Sequence, residues 1–497
     1  RATQSMNILS IYPEFPDTFW SFKYALKFVH KRASSPPLGL LTVAAMLPST
    51  WEKHLVDMNV TNLHDKDLIW ADLVLISAMT VQRESTEKLI ARAKTLKKTI
   101  IAGGPLFTAE PNAFPDVDHL VLNEAEITLP LFLSDLGLGR PQRIYRTDEF
   151  ADITKTPAPL WELVNLRHYE SLSLQFSRGC PFKCDFCNVT ALLGHRMRLK
   201  STHQLINELD KIYALGWRRN IFIVDDNFIG NKQVLKREVL PALIEWRKGK
   251  KGCLFLTEAS VNLSDDDELI KLMVKAGFTQ VFVGIETPDD KALAECSKSQ
   301  NRNRDLVKSV KKLQQMGLQV MGGFIVGFDS DDETIYQRMI DFIQDSGIVT
   351  AMVGLLQAPI GTQLYQRVLR EGRIRQSYSG DNVDGETNII PKMELPLLKN
   401  GYRKILDTIY SAKEFYARIR TFLRNYRPAK HPVSLQWHEI IAFFSSIVEI
   451  GIKSKERAHY WRLFFWTLFH CPSRFPLAIT FAIYGYHFRK VNELHVG

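Results

Sequence analysis

The chain has 497 residues, of which 45% are hydrophobic and 24% charged. These proportions exclude collagen-like, disordered and small disulfide-scaffold classes, and allow roughly two to four domains with sizeable cores. The net charge of +10 is concentrated in residues 401–497, which carry 15 Lys/Arg against 6 Asp/Glu and 20 of the 53 aromatic residues. Three of the six cysteines fall within eight residues, the pattern of an intracellular metal or redox site rather than a disulfide framework. The start of the chain lacks a basic segment followed by an apolar one, so no secretory signal is expected, and residues 1–5 ahead of Met6 read as an extraneous leader. No apolar run reaches the roughly 18–20 residues of a transmembrane helix. The stretch from Phe475 to Phe488 is too short to span, so a cytoplasmic location is expected.

In chain order, Asn7–Tyr12 and Leu73–Ser77 read as buried strands, and Glu84–Leu96 as an amphipathic helix. Residues 99–105 follow as a strand ending on a glycine turn, then His119–Leu122 as another strand. Strands alternating with helices predict a doubly wound, Rossmann-like domain over residues 6–140, with ligands at the carboxyl ends of its strands. Residues 141–170 carry no period and read as a linker. From residue 171 to 375 a regular beat predicts strands at 171–176, 220–224, 253–258, 280–285, 319–325 and 350–356. Helices are expected between them at 202–215, 265–276, 304–316 and 333–344. Six such units make a partial (β/α)6 barrel of TIM type, with function at the C-terminal face of its strands. Residues 376–497 read as a mostly α-helical extension, giving an α/β fold class overall.

The sharpest motif is Cys180-Pro-Phe-Lys-Cys184-Asp-Phe-Cys187, directly after the first barrel strand. Three thiolates on one short loop can hold three irons of a four-iron cluster and leave the fourth open, whereas an electron-transfer cluster takes a fourth Cys. The alternatives are a zinc knot using His195, or a disulfide plus a free thiol. Structural zinc presents paired Cys-x2-Cys units, and one such unit is present.

This spacing, with Phe186 before the third Cys and six β/α units, resembles the radical S-adenosylmethionine (SAM) superfamily. The resemblance implies a [4Fe–4S] cluster on Cys180, Cys184 and Cys187, whose open iron chelates SAM. It further implies SAM contacts at Phe186, at Asp225 or Asp226 after the second strand, at Glu258 and Glu286 ending the third and fourth, and at Gly327 after the fifth. Each carboxylate taken singly reads equally well as a helix cap or surface ion pair.

A doubly wound domain ahead of such a barrel resembles the cobalamin-binding class of the superfamily. That implies a corrinoid lined by Leu38, Gly39, Ser77, Thr80, Gly103 and Gly104, with Glu124 in the turn Asn123-Glu-Ala-Glu126. Asp-x-His-x-x-Gly is absent from the first 200 residues, so no axial protein histidine is expected. An inert Rossmann-like lid is the alternative. Residues 224–229, 284–288 and 355–359 resemble the subgroup containing the hopanoid C2-methylases.

The resemblance implies a cobalamin-dependent methyltransferase. It would methylate an unactivated carbon of a lipophilic, hopanoid- or other lipid-like substrate through a 5′-deoxyadenosyl radical and methylcobalamin. A flavodoxin or ferredoxin would serve as electron donor. The alternative is a radical SAM enzyme using SAM only for hydrogen abstraction, with a structural or non-methylating first domain. A cobalamin sensor would carry the axial-histidine signature, and an electron carrier a fourth Cys. Cys253, Cys296 and Cys471 read as small residues in or near the core.

Residues 415–430 and 460–469 mix Arg with aromatics at helical spacing. The favoured reading packs the aromatics on the barrel; the alternative lays the helices on the inner face of a membrane. Nucleic acid is not an expected partner, since the tail has no recognisable reader fold.

Overall fold

The structure, a computed structural model, describes residues 5–431 and 437–496. Residues 1–4 of the leader, and residues 432–436 and 497 of the tail, lie outside the described residues.

The first sheet contains β1 (Asn7–Tyr12), β2 (Glu52–Asp57), β3 (Leu73–Ser77), β4 (Thr99–Gly103), β5 (His119–Val121) and β6 (Ile144–Tyr145). All are parallel, in the order β2-β1-β3-β4-β5-β6. The four buried strands are those read from sequence. The two edge strands were not, because β2 alternates exposed and half-buried residues and β6 is two residues long. The strand order reverses between β1 and β3, which opens a crevice at their carboxyl ends.

The second sheet is formed by β7 (Leu172–Leu174), β10 (Ile221–Ile223), β11 (Phe255–Glu258), β12 (Phe278–Glu286), β13 (Gln319–Val326) and β14 (Ala351–Leu355). These six are parallel and in sequence order around an open barrel, as the beat predicts. Between β7 and β10, β8 (Ser177–Arg178) pairs antiparallel with β9 (Arg198–Leu199). Three of the barrel helices start on side-chain caps: Ser201 for Thr202–Ala214, Asp266 for Asp267–Ala276 and Asp305 for Leu306–Gln315.

The gap between β14 and β7 is bridged by residues 19–34, which leave the first sheet after β1. At one edge the Trp20 indole N–H reaches Met352 Sδ on β14 at 2.8 Å. At the other, Ser171 N, next to β7, donates to the Ser34 carbonyl at 2.8 Å. Phe19 stacks on Phe488 of the last helix, Phe475–Val496, with centroids 4.3 Å apart. Phe19, the barrel strands and the C-terminal helices therefore share one hydrophobic core.

The extension is helical at Leu395–Ile409, Ala412–Asn425, Trp437–Ser446, Arg457–His470 and Phe475–Val496. Its Arg–aromatic stretches divide between the two readings. Phe415, Tyr416, Arg418, Phe422 and Tyr426 are buried. The Arg418 guanidinium donates to Gln344 Oε1 and to the carbonyls of Ile409 and Val349, so it serves the core rather than a surface. Phe465 and Phe469 are exposed. Among the described residues, no helix is long and apolar enough to cross a membrane.

Candidate active site

The β8–β9 pair closes a loop that carries all three motif cysteines. Gly179, at φ +92°, enters it with no room for a side chain: a Cβ there would lie 2.6 Å from the Arg196 carbonyl. Cys180, Cys184 and Cys187 are half-buried and free of disulfides. Burial raises all three thiols, Cys187 up to about 12. Phe186 leans edge-on against Phe328, centroids 6.5 Å apart. Among the described residues, no three His, Cys, Asp or Glu side chains are gathered as one ion requires. A four-iron cube sets its thiolates wider apart than a single ion does.

Asp225 and Asp226 follow β10 and are used differently. Asp225 is fully buried, and its oxygens accept from Phe176 N at 2.8 Å and Ser177 Oγ at 2.6 Å. It fastens the root of the cysteine loop and has little left for a ligand. The Asp226 side chain has no side-chain partner among the described residues. Burial, then the neighbouring Asp225 charge, pushes it up to about 7. Glu258 ends β11 and likewise lacks a hydrogen-bonding partner. Burial and then Asp226 push it up to about 8. Each carboxyl therefore holds its proton more tightly than usual, the Lys298 ammonium alone opposing this at Glu258, and a cation brought beside them would favour their charged forms.

Glu286 ends β12 just after a register shift against β13, in a left-handed backbone at φ 66°. That conformation costs an L residue about 1–2 kcal/mol. It sets the carboxylate 2.7 Å from the buried Lys298 ammonium. Burial opposes the Lys298 charge, but Glu286 and the thiols of Cys184 and Cys187 hold its pKa above the ordinary lysine value. Gly327 packs against helix Leu395–Ile409, its Cβ position 3.1 Å from Leu398 Cδ2.

A cavity of about 2050 Å³ runs from the crevice of the first sheet into the barrel. Leu38, Gly39 and Ser77 line it on one side, Glu258 on the other. Gly39 has open space where a Cβ would stand, while at Gly104, φ +91°, a Cβ would meet Ser77 Oγ at 2.6 Å. Gly103 abuts the Val121 carbonyl, and Thr80 abuts Gly380. No histidine lines the part contributed by residues 12–40, 77–81 and 105.

Glu124, in the turn after β5, is tied to the strand pair of the cysteine loop. It is buried, and Arg198 Nη1 and Nη2 each donate to one of its oxygens at 2.7 Å. Glu126 receives Arg178 Nη2 at 2.7 Å and Nη1 at 3.1 Å. Arg178 and Arg198 stand on β8 and β9, so the turn of the first sheet clasps both feet of the cysteine loop. Both partners of such a pair must be read together, and only the tertiary fold joins residues 124 and 198.

The sequence reading missed Lys298, Trp20 and Tyr378. Tyr378 lies in the loop after residue 370, close enough that the Cys187 charge helps raise it to about 12, after burial and two aspartates. None belongs to a motif. Only an Arg two places ahead of the first Cys was available as a signal, at Arg178.

The profile of the radical SAM superfamily matches residues 174–343, the B12 binding domain residues 31–133, and a domain of unknown function (DUF4070) residues 362–496. An uncharacterised methyltransferase of Synechocystis is 40% identical over 98% of this chain and 92% of its own. The hopanoid C-2 methylase of Rhodopseudomonas palustris is 35% identical over 74% of this chain and 71% of its own. The chain belongs to the cobalamin-dependent radical SAM methyltransferases. The methyltransferase takes a [4Fe–4S] cluster, SAM and cobalamin as cofactors. Its fold is shared by OxsB with aqua-cobalamin and SAM bound, at TM-score 0.65 and 14% identity over 99% of this chain and 80% of that one. It is shared too by TsrM of Kitasatospora setae, at TM-score 0.60 and 14% identity over 99% and 100%.

The residues present fit these groups. The donor set is three free thiols. Two carboxylates without side-chain hydrogen bonds, Asp226 and Glu258, can take a positive charge, and the cavity begins at the crevice where a doubly wound sheet takes its ligand.

Proposed function

We propose that this methyltransferase methylates an unactivated carbon of a lipophilic, hopanoid-like substrate inside the barrel. The observation that carries the reading is the cavity wall, where Trp20, Phe222, Leu256, Phe282, Met321 and Met352 face inward below Glu258. Apolar walls of this kind exclude water and suit a hydrocarbon. One of the relatives above is a hopanoid methylase, which agrees with such a wall.

In this reading Cys180, Cys184 and Cys187 hold the cluster, and Asp226 and Glu258 take the positive end of SAM. Leu38, Gly39 and Ser77 carry the corrinoid, with Gly104 and Thr80 shaping the wall behind. When bound, the cofactors supply a low-potential electron, received from a flavodoxin or ferredoxin, and the methyl group. The protein's own contribution is to orient the substrate carbon and keep water away. Exposed Trp437, Phe444, Phe465 and Phe469, within the extension whose residues 401–497 carry 15 Lys/Arg against 6 Asp/Glu, support peripheral contact with a membrane.

The test is anaerobic incubation of the cofactor-loaded enzyme with methyl-deuterated SAM, a reductant and a hopanoid fraction, followed by mass spectrometry. The expected product carries the deuterated methyl group on the pentacyclic body. Formation of 5′-deoxyadenosine with no methylated lipid would overturn the substrate class. Flotation with anionic vesicles tests the membrane contact.

A further inference from the structure

The cysteine loop is touched from a second side, by the segment that follows β12. There the helix Asp290–Glu295 gives way to residues 296–301. The Asp185 N–H, inside the cysteine motif, donates to the Cys296 carbonyl at 3.2 Å. The single 3-10 turn Ser299–Asn301 then delivers Gln300, whose Nε2 donates to Cys184 Sγ at 3.8 Å. Sulfur is larger than oxygen, so its hydrogen bonds are longer than the about 2.7–3.2 Å of an N–H···O bond. Among the described residues this is the one side-chain N–H directed at any of the three motif sulfurs.

The turn is fastened on both sides of Gln300. Asn301, 1% exposed, donates from Nδ2 to the carbonyls of Gly284 and Ile285 at 2.9 Å each, near the end of β12. Lys298 donates its backbone N–H to the Leu293 carbonyl at 2.9 Å, and its ammonium holds Glu286, the last residue of β12. Gln300 is carried between these two anchors and is itself only 9% exposed. Its Oε1 is buried and has no partner. A buried polar atom left unserved is costly, and for packing alone an apolar side chain of the same length would do better. What the amide provides at this place is its N–H. A thiolate bound to iron carries no hydrogen, so only the N–H side of an amide can face it.

We propose that Gln300 acts on the cluster through Cys184: its amide N–H, held in place by the turn 298–301, bonds to the ligating sulfur and makes the cluster easier to reduce. The physical reason is that the reduced cluster is the more negative, so a donor at one of its sulfurs favours that state over the oxidised one. This rests on the assignment of Cys180, Cys184 and Cys187 as the cluster ligands. It adds a positioning residue outside the cysteine motif that sets how readily the electron enters.

The test is an EPR-monitored redox titration of the full-length, cluster-reconstituted protein without SAM. It compares the parent with Gln300→Leu, Gln300→Met and Ser299→Ala. Leu and Met replace the glutamine with two different shapes and no donor, while the exposed neighbour Ser299 controls for changes in the turn. Both Gln300 variants are expected to lower the one-electron reduction constant about fivefold, roughly 40 mV at about 59 mV per decade. Ser299→Ala should keep the parent potential. The signal comes only from molecules that carry a cluster, so partial loading leaves the potential readable. An unchanged or raised potential in either Gln300 variant would overturn the proposal, as would an equal fall in Ser299→Ala. Iron and sulfide analysis reads the underlying assignment separately. An undiminished cluster in Cys184→Ala would refute the ligand set, whereas a loaded parent with no shift in the Gln300 variants refutes the role of Gln300 alone.

Discussion

At the scale of single residues, the site is set by which polar groups the protein leaves without partners. Asp225 spends both oxygens on the backbone and hydroxyl of residues 176 and 177, whereas Asp226 and Glu258 are held back. The consequence is a pH dependence with a definite sign. The Glu258 carboxyl sits near 8 when folded, above its ordinary value. The ligand-free fold therefore keeps a proton that the unfolded chain gives up. Its contribution to stability falls as pH rises from about 4.5 to about 8 and then levels. Glu258→Gln is expected to raise the melting temperature of the ligand-free protein at pH 8 and to leave it nearly unchanged at pH 4.5. SAM affinity should run the other way, increasing towards pH 8 as the carboxylate charges. The same variant should weaken it by roughly tenfold at pH 8, the worth of one charge-assisted hydrogen bond; calorimetric titration reads both. Cys180→Ala, Cys184→Ala and Cys187→Ala should each abolish reductive SAM cleavage, read as 5′-deoxyadenosine, and lower the bound iron and sulfide. Retained cleavage in any one would contradict the cluster assignment.

At the scale of elements, a two-residue strand pair and a turn from another sheet do what a long loop does not do alone. β8 and β9 close the cysteine loop, and the Glu124 and Glu126 carboxylates hold Arg198 and Arg178 from the side of the first sheet. Side-chain exposure of 15% for Arg198 and 5% for Glu124 places the pair largely out of water. Without Arg198 the buried Glu124 keeps only Arg178 Nη1 at 3.4 Å and the Ala151 amide, so Arg198→Met should cost about 2 kcal/mol in chemical denaturation. The double variant Arg198→Met, Glu124→Gln should cost less than the sum of the two single changes. Lower cluster occupancy after reconstitution is expected alongside.

At the scale of the whole molecule, the last helix is part of the barrel's core. Phe481 and Phe488 are buried, Phe488 stacks on Phe19, and the Tyr410 hydroxyl donates to the Ala351 carbonyl on β14. Each large side chain fully buried contributes about 1.5–3 kcal/mol, which exceeds the usual stability margin once several are lost together. A chain ending at residue 431 is therefore expected to lose cooperative unfolding and to bind a hydrophobic dye such as ANS. A sharp melt near the parent temperature would show that the extension is an independent unit. The same integration explains how one cavity can touch the first sheet, the barrel and the last helices.

Several features were fixed by local chemistry and so could be read before any folding. Buried strands show as apolar runs, which mark β1, β3, β4, β5 and the six barrel strands. Three cysteines on one loop mark a metal or redox site by their spacing, and the resemblance to a family supplies the cluster. Edge strand β2 was hidden by its half-polar surface, and the bridging segment 19–34 by its resemblance to an irregular connection. The use of each carboxylate was decided only in three dimensions. Asp225 and Asp226 are adjacent in the chain, yet one is a structural clamp and the other makes no side-chain hydrogen bond, because only one meets residues 176 and 177. Glu124 went to Arg198, and the aromatic tail divided between core and surface, for the same reason. A residue's type is set by the sequence, whereas its partners are distant in the chain and come within reach only when the sheets and helices have packed.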